Sequence, residues 1–547
     1  MSETSRPQAA PSVWTRARRG ISQGRTPVLW VLALLVGLIA GYAAIGLRLA
    51  IQTVQAISFG EFDERLASAA AELSALHIIA APVIGGCVVG LLLYLGHRTG
   101  WLTDIRSEGV ADVIEARAAR SGQMKAAPGL LSALISAVSL GSGGSAGREG
   151  PAVHLGAMLA AQFTRIFSLP PRSARILLGC GAAAAVSASF NAPVAGALFA
   201  FEVVLGHYAL RSIGPVAAAS VTGAVLARFH FGPTPAFTLP QIDPATIADF
   251  AAMVPLGLFA AGLAIAFVML AQWLPQRIAR IADQLDIPLW ALPPAGGLLV
   301  GMIAVAFPQV LGVGYEATSL ALSGGYEPLL LAALVAAKLL ATAITLAFRF
   351  GGGVFSPSLY LGAMLGALYG AGASALLGEA GSGATLFAVV GMGAVAGAVL
   401  GAPLSTTLIV FELTASYEAS IALLVAVSLA TVVMNAVTKG SFFHKQVARA
   451  GYDLSAGNAR VILQTVRARE MMMPIDASER TASVDEPSVY EDDYLGRVLG
   501  LLSAEELDGA AVRARTGDQP VIGYITKADA HAAYARALHD AHEEEHG

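Results

Sequence analysis

Residues 147–159, GREGPAVHLGAML, recur at 353–365 as GVFSPSLYLGAML. The leading glycine, the proline four residues on and the whole of LGAML fall in register, with Pro151 and Pro357 206 positions apart. A second pair follows: GAAAAVSASFNAPVAGALFAFE at 181–202 and GMGAVAGAVLGAPLSTTLIVFE at 391–412. Pro193 and Pro403 lie 210 positions apart, and Glu202 and Glu412 close the two stretches. Two independent matches, in the same order and at nearly the same separation, predict a chain built from two halves, one unit used twice.

The material of each half is apolar. Hydrophobic residues make up 55% of the 547 and charged residues 13%, where a soluble domain carries about 25% charged. Apolar runs recur over 27–47, 76–96, 126–140, 152–167, 175–189, 193–205, 212–229, 250–273, 289–307, 327–348, 355–377, 384–398, 404–414 and 419–437. This predicts an all-α polytopic membrane protein. Several runs are shorter than the roughly 20 residues a crossing helix needs, and many are cut by Gly, Pro or Asn. Broken helices persist in lipid only where protein or an aqueous cavity covers the freed backbone groups. That texture suits a transporter or channel rather than an anchor.

Charge sits at the ends. Arg6, Arg16, Arg18, Arg19 and Arg25 precede the first run, which predicts a cytoplasmic start and a retained span. A signal peptide would have an apolar core of only about 7–15 residues. The expected layout is a basic segment over 1–26, a membrane domain over 27–450 (halves about 27–230 and 250–450), and a small soluble cytoplasmic α/β tail over 451–547. The acidic end of the tail reads as solvated. Cys87 and Cys180, in apolar surroundings, read as buried core thiols with neither disulfide nor metal. No nucleophile–base or metal constellation near the membrane suggests an enzyme, and nothing calls for a cofactor or a nucleic acid.

The stretch GSGGSAGREGP (141–151) gives the repeat a chemical meaning. A helix N-terminus offers unpaired N–H groups and a partial positive charge, and glycine lets a ligand approach the backbone. A helix that starts inside the membrane after a Gly-rich break is therefore suited to an anion. FRFGGGVFSP (348–357) repeats the arrangement in the other half, and two such starts converging would make a midplane anion site. Glu149 is a carboxylate at one of these starts. Its anionic form would compete with a permeant anion for the same N–H groups, and a proton would release it: a pH-sensitive gate. Arg148, the adjacent residue, faces elsewhere and is expected to hold structure while its backbone contributes.

These residues carry a family likeness. GREGP, GGVFSPSL, the NAP…FE and GAP…FE pairs and KQVARAG (445–451) resemble the CLC chloride channels and chloride/proton antiporters over roughly 27–450. The resemblance implies two inverted repeats, a homodimer with one pore per subunit, lipid surroundings in a bacterial inner membrane, and chloride held by backbone N–H groups. It implies Glu149 as the gate, with Gly147, Arg148, Gly150, Gly353, Val354 and Phe355 around the anion. Three positions depart from the pattern. Where the family places a serine against the anion, RSEGVADVIEA (106–116) offers Ser107 or, by the better register, Glu108. The tyrosine closing the inner side is Phe443, which has no hydroxyl to donate. The inner glutamate of many antiporters is Val203, which carries no proton; its neighbour Glu202 reads as a structural cap, like Glu412.

The reading that follows is glutamate-gated chloride transport, channel-like or weakly proton-coupled, with a coupled chloride/proton antiporter as the alternative. A membrane sensor regulated by the tail is more remote. His154 reads as a buried hydrogen-bonded histidine ahead of a proton relay. Lys338 is an intramembrane cation whose role stays open between biasing the pore, snorkelling and pairing with an acid. VRAREMMMPID (466–476) and PVIGYITKADAHAAY (520–534) resemble the beginning and end of a CBS module. The middle does not match, which weakens the implied nucleotide site.

Overall fold

A computed structural model describes residues 26–546, without residue 64 and the segments 233–236, 238–244, 379–382, 415, 454–457, 476–486 and 517–518. The five arginines expected to anchor the N-terminus lie outside the described residues. Nine helices among those described are long and apolar enough to cross a membrane.

The first half comprises α1 (Thr26–Phe59), α2 (Leu66–Ala71), α3 (Ala75–Arg98), α4 (Val110–Ala119), α5 (Ala126–Gly141), α6 (Glu149–Ile166), α7 (Pro171–Phe190), α8 (Pro193–Phe199) and α9 (Leu210–Phe231). Helix α8 runs on as a π-helical turn over Ala200–Leu205. The second half comprises α10 (Ile247–Gln284), α11 (Pro293–Ala306), α12 (Tyr315–Leu322), α13 (Pro328–Ala347), α14 (Phe355–Leu377), α15 (Ala384–Leu400), α16 (Pro403–Thr414), α17 (Tyr417–Thr438) and α18 (Phe442–Arg449). The halves are inverted repeats of broken and tilted helices. Helix α12 arises from a stretch that the apolar runs pass over.

Glycine explains how the matched helices pack. Helix α6 lies against α7, and α14 against α15. A Cβ on Gly156 would stand 2.5 Å from the Gly181 carbonyl oxygen, and one on Gly362 would stand 2.3 Å from that of Gly391. These four glycines occupy equivalent positions of the two repeats, so each half keeps one close backbone crossing that any side chain would open.

The FE ends of the second motif hold the halves to each other. Glu202 accepts from the N–H groups of Leu404 (3.1 Å) and Ser405 (2.8 Å) and from Ser405 Oγ (2.5 Å), at the start of α16. Glu412, on α16, accepts from the N–H groups of Val194 (2.9 Å) and Ala195 (2.8 Å), at the start of α8. Each carboxylate thus caps the helix that carries the other, where orphan N–H groups and the dipole favour negative charge.

Cys180 is buried, but Cys87 is exposed. Its helix α3 shows Ile84, Val88 and Leu91 on the outside, and Cys87 shares that face at helical spacing. Apolar surroundings in sequence meant the membrane-facing side there, not the core.

Beyond α18 the chain forms α19 (Asn458–Thr465), α20 (Ala468–Met471), α21 (Leu495–Ala504), α22 (Lys527–His546) and a four-stranded sheet. The strands β1 (Met473–Pro474), β2 (Ser488–Tyr490), β3 (Gly509–Arg513) and β4 (Val521–Thr526) are ordered β1-β4-β3-β2. Only β2 and β3 run parallel. The two fragments singled out in the tail meet here, Met473 pairing with Tyr524. Val489, Leu495, Val498, Leu502 and Ile525 form its core.

Removing a cap carboxylate strands helix-start N–H groups. Glu412→Ala and Glu202→Ala are each expected to destabilise the protein by about 1–3 kcal/mol, with Glu202 the costlier because Ser405 Oγ also loses its acceptor. Thermal unfolding in detergent checks this; an unchanged midpoint in both would exclude a stabilising role.

Candidate functional site

The starts of α6 and α14 are tied together by their glycines. Gly147 N–H donates to Gly353 O and Gly353 N–H donates to Gly147 O, both at 2.7 Å. Gly352 has φ +146°, and a Cβ there would stand 2.5 Å from Ala146 Cβ, so this turn requires glycine. Gly147 and Gly353 thus spend their N–H groups on each other. The donors that remain belong to the next residues. Arg148 is the N-cap of α6, ahead of Glu149 and Gly150; Val354 is the N-cap of α14, ahead of Phe355. First-turn N–H groups have no acceptor within their own helix, and both dipoles add positive potential at one place.

Glu149 is fully buried. Its Oε1 accepts from Tyr315 Oη at 2.6 Å and its Oε2 from Ser356 Oγ at 2.5 Å. One hydroxyl comes from the first residue of α12, the other from the first turn of α14, so three helix starts meet on this carboxylate. The Arg148 guanidinium lies over the Tyr315 ring, 4.7 Å from its centroid, a cation–π contact that turns the arginine away from the site.

Tyr315 is itself held in place. Lys338 Nζ, fully buried, donates to the carbonyls of Val310 and Gly312 at 3.0 Å each, and lies 5.0 Å from the Tyr360 ring centroid. This gives the lysine a structural part: it donates to two carbonyl oxygens and fixes the turn before Tyr315. Gly314, at φ +88°, starts α12. Glu316 caps α2 through the N–H groups of Ala67 (2.9 Å) and Ser68 (3.2 Å) and the Ser68 hydroxyl.

A cavity of about 380 Å³ reaches Glu149 from the side where α18 leads into the tail. Ser107, Glu108, Glu149, Gly150, Gly353, Val354, Phe355 and Phe443 all line it. Both candidates for the serine position are therefore present. Glu108 donates its N–H to Ser132 Oγ at 2.9 Å, and its Oε2 lies 3.2 Å from His154 Nε2, at ion-pair distance though off the hydrogen-bond direction. Nearby, Arg106 forks onto Asp112 at 3.0 and 2.6 Å. Burial opposes charge on Asp112, but this guanidinium outweighs it and holds the carboxyl below its ordinary range. Phe355 stacks with Phe190 and Phe199, centroids 5.0 and 5.7 Å away. Phe443 is buried and packs edge-on against Phe442.

Arg148 does not line this cavity. It lines a small recess of about 30 Å³ with Tyr315 and Glu316. The Tyr315–Glu149 hydrogen bond is thus the seam between two openings. Val203 sits in the π-helical turn, packed within the main apolar core.

Sequence reasoning missed Tyr315 and Ser356. Ser356 lay inside a quoted motif without being singled out. Tyr315 follows LGVG (311–314), another glycine break before a short helix, and that was the available signal. The tail's HEEEH (542–546) has the spacing of HExxH zinc sites, contrary to the expectation that the sequence holds no such motif. Among the described residues no three His, Cys, Asp or Glu side chains are grouped to hold a metal.

A family model described as voltage gated chloride channel matches residues 96–435. A ClcB-like protein of Ralstonia nicotianae is 33% identical over 419 residues, 76% of this chain and 95% of its own. The voltage-gated ClC-type chloride channel ClcB of Escherichia coli O81 is 30% identical over 77% of this chain and 98% of its own. Among solved structures, a slow cyanobacterial Cl⁻/H⁺ antiporter has a TM-score of 0.68 at 22% identity, covering 77% of this chain and 97% of its own. A eukaryotic CLC transporter has a TM-score of 0.65 at 18% identity, covering 95% of this chain and 99% of its own. With the repeated helix starts, the buried glutamate and these matches together, the chain belongs to the voltage-gated chloride channel (CLC) family of multi-pass membrane proteins.

Proposed function

We propose that the protein moves chloride, or a similar small anion, through a pathway gated by Glu149, channel-like or with weak proton coupling. The observation that carries this is the position of the Glu149 carboxylate. It closes the cavity at the converging starts of α6 and α14, and two hydroxyls hold it there. An anion entering from the tail side is drawn by the N–H groups of Val354 and Phe355 and by the two helix dipoles. The glutamate already occupies the end of that path with the same charge. A proton removes the charge, weakens the hold of Tyr315 and Ser356, and lets the anion continue toward the recess beside Arg148. Phe443 obstructs the inner side by bulk alone. We take residues 27–450 as the transporting domain of a homodimer in a bacterial inner membrane. In this reading the tail over 451–547 is cytoplasmic and modulatory.

A coupled chloride/proton antiporter is the second reading. It is favoured by a titratable group on the cavity wall, Glu108, with the buried His154 beside it, and by the antiporter described among the similar folds. Liposomes loaded with chloride, with proton movement recorded together, separate the two. Chloride efflux without proton uptake makes the protein a channel; a fixed ratio of the two makes it an exchanger. Under either reading, Glu149→Ala is expected to raise flux at neutral pH to the level that acid produces in the native protein, and a variant that stays closed at neutral pH would exclude Glu149 as the gate.

The hydroxyls make a finer prediction. Both stabilise the charged carboxylate, so removing one makes protonation easier. Tyr315→Phe is expected to move the pH of half-maximal flux upward by about one unit, since a hydrogen bond to a charged group contributes about 1.5–3 kcal/mol. Ser356→Ala should shift it the same way. A profile that stays in place in both variants would show that neither hydroxyl restrains the gate.

A further inference from the structure

The acids lining the tail-side cavity have different partners. Asp112 is forked by Arg106, and Glu115 accepts from Arg120 at 2.7 Å. Asp104 lies 3.7 Å from Arg106. Glu108 instead faces an imidazole. Its side chain is 27% exposed to the cavity, whereas His154, on α6 one turn beyond the gate, is 1% exposed. Arginines elsewhere on the cavity wall are Arg349, after α13, and Arg449, on α18, which donates to Gln272 Oε1 at 2.9 Å.

Arginine keeps its charge across the whole physiological range. A paired carboxylate and imidazole do not: without a shared proton they carry one negative charge, and with it they carry none. An anion admitted to the same cavity meets repulsion in the first state and is relieved of it in the second. Proton and anion therefore favour each other's presence, and the coupling is reciprocal.

We infer that Glu108 and His154 form a proton-binding site on the tail side of the gate, filled in step with the anion in the cavity. The inference rests on the anion-pathway reading and adds a second protonation locus to Glu149. In the transfer, a solvent proton is taken up by the pair as the anion enters and returns to solvent, or passes to Glu149, as the anion leaves; no bond other than those to the proton changes.

Isothermal titration of the full chain in detergent with sodium chloride tests this. Repeating it at one pH in two buffers of different ionisation enthalpy gives the protons taken up per chloride. Glu149→Gln removes the gate's own contribution, and uptake is expected to persist. Glu108→Gln added to it should abolish the uptake and tighten chloride binding about tenfold, the scale of one neighbouring charge at intermediate dielectric. Glu108→Ser, as a second replacement of different shape, should do the same. Absence of proton uptake in the Glu149→Gln protein overturns the site, as does uptake that survives both Glu108 replacements. Absence of any chloride heat in the native chain overturns the anion pathway itself.

Discussion

Two backbone hydrogen bonds between Gly147 and Gly353 set the frame on which the rest depends. They join equivalent residues of the two halves at the point where each helix begins. Because both partners lack a side chain, the helix starts come close enough for two sets of first-turn N–H groups and two positive dipole ends to act on one volume. In water such a pair of ends would be screened within about 10 Å; inside a protein and membrane it is not. A negative group must be there, and in this structure the chain supplies one of its own. The reciprocal caps by Glu202 and Glu412 serve the same frame from further away, fixing each half through the other half's helix start.

The buried carboxylate is bearable only because its surroundings are polar in a particular way. Hydroxyls donate to it and carry no charge, so they stabilise the anion without neutralising it. A guanidinium in the same place would neutralise Glu149. Arg148 is adjacent in sequence but is drawn onto the Tyr315 ring, where it tunes the donor instead of pairing with the acceptor. Lys338 acts at one further remove, on the carbonyls of the turn that presents Tyr315. Both basic side chains near Glu149 are thus engaged with rings and carbonyls.

Much of this was legible in the sequence because glycine, proline and a rare intramembrane acid leave strong marks. The repeat, the broken helices and Glu149 all follow from the residues themselves. What escaped was tertiary. That Gly147 and Gly353 bond to each other is a fact about pairing between halves. That Cys87 faces outward follows from which side of α3 is packed, and an apolar residue looks the same in sequence on either side. Tyr315 escaped because a lone tyrosine in a short helix of mixed character gives no periodic signal; its meaning depends on Glu149, 166 positions earlier.

The repeat nevertheless carried a third match that only the structure makes readable. Helix α4 begins after Gly109 and packs on α6; helix α12 begins after Gly314 and packs on α14. The two glycines are 205 positions apart, close to the spacing of the other pairs, so α4 and α12 are the same element of the duplicated unit. Inversion puts these twins on opposite approaches to the bridge. One brings Glu108 to the tail-side cavity and the other brings Tyr315 to the far seam. The halves at the bridge differ in side chain, since Glu149 has Phe355 as its counterpart and Gly150 has Ser356. A symmetric backbone with asymmetric side chains places one carboxylate at the bridge rather than two. Two carboxylates facing each other across a single pair of helix starts could not both stay ionised at such range.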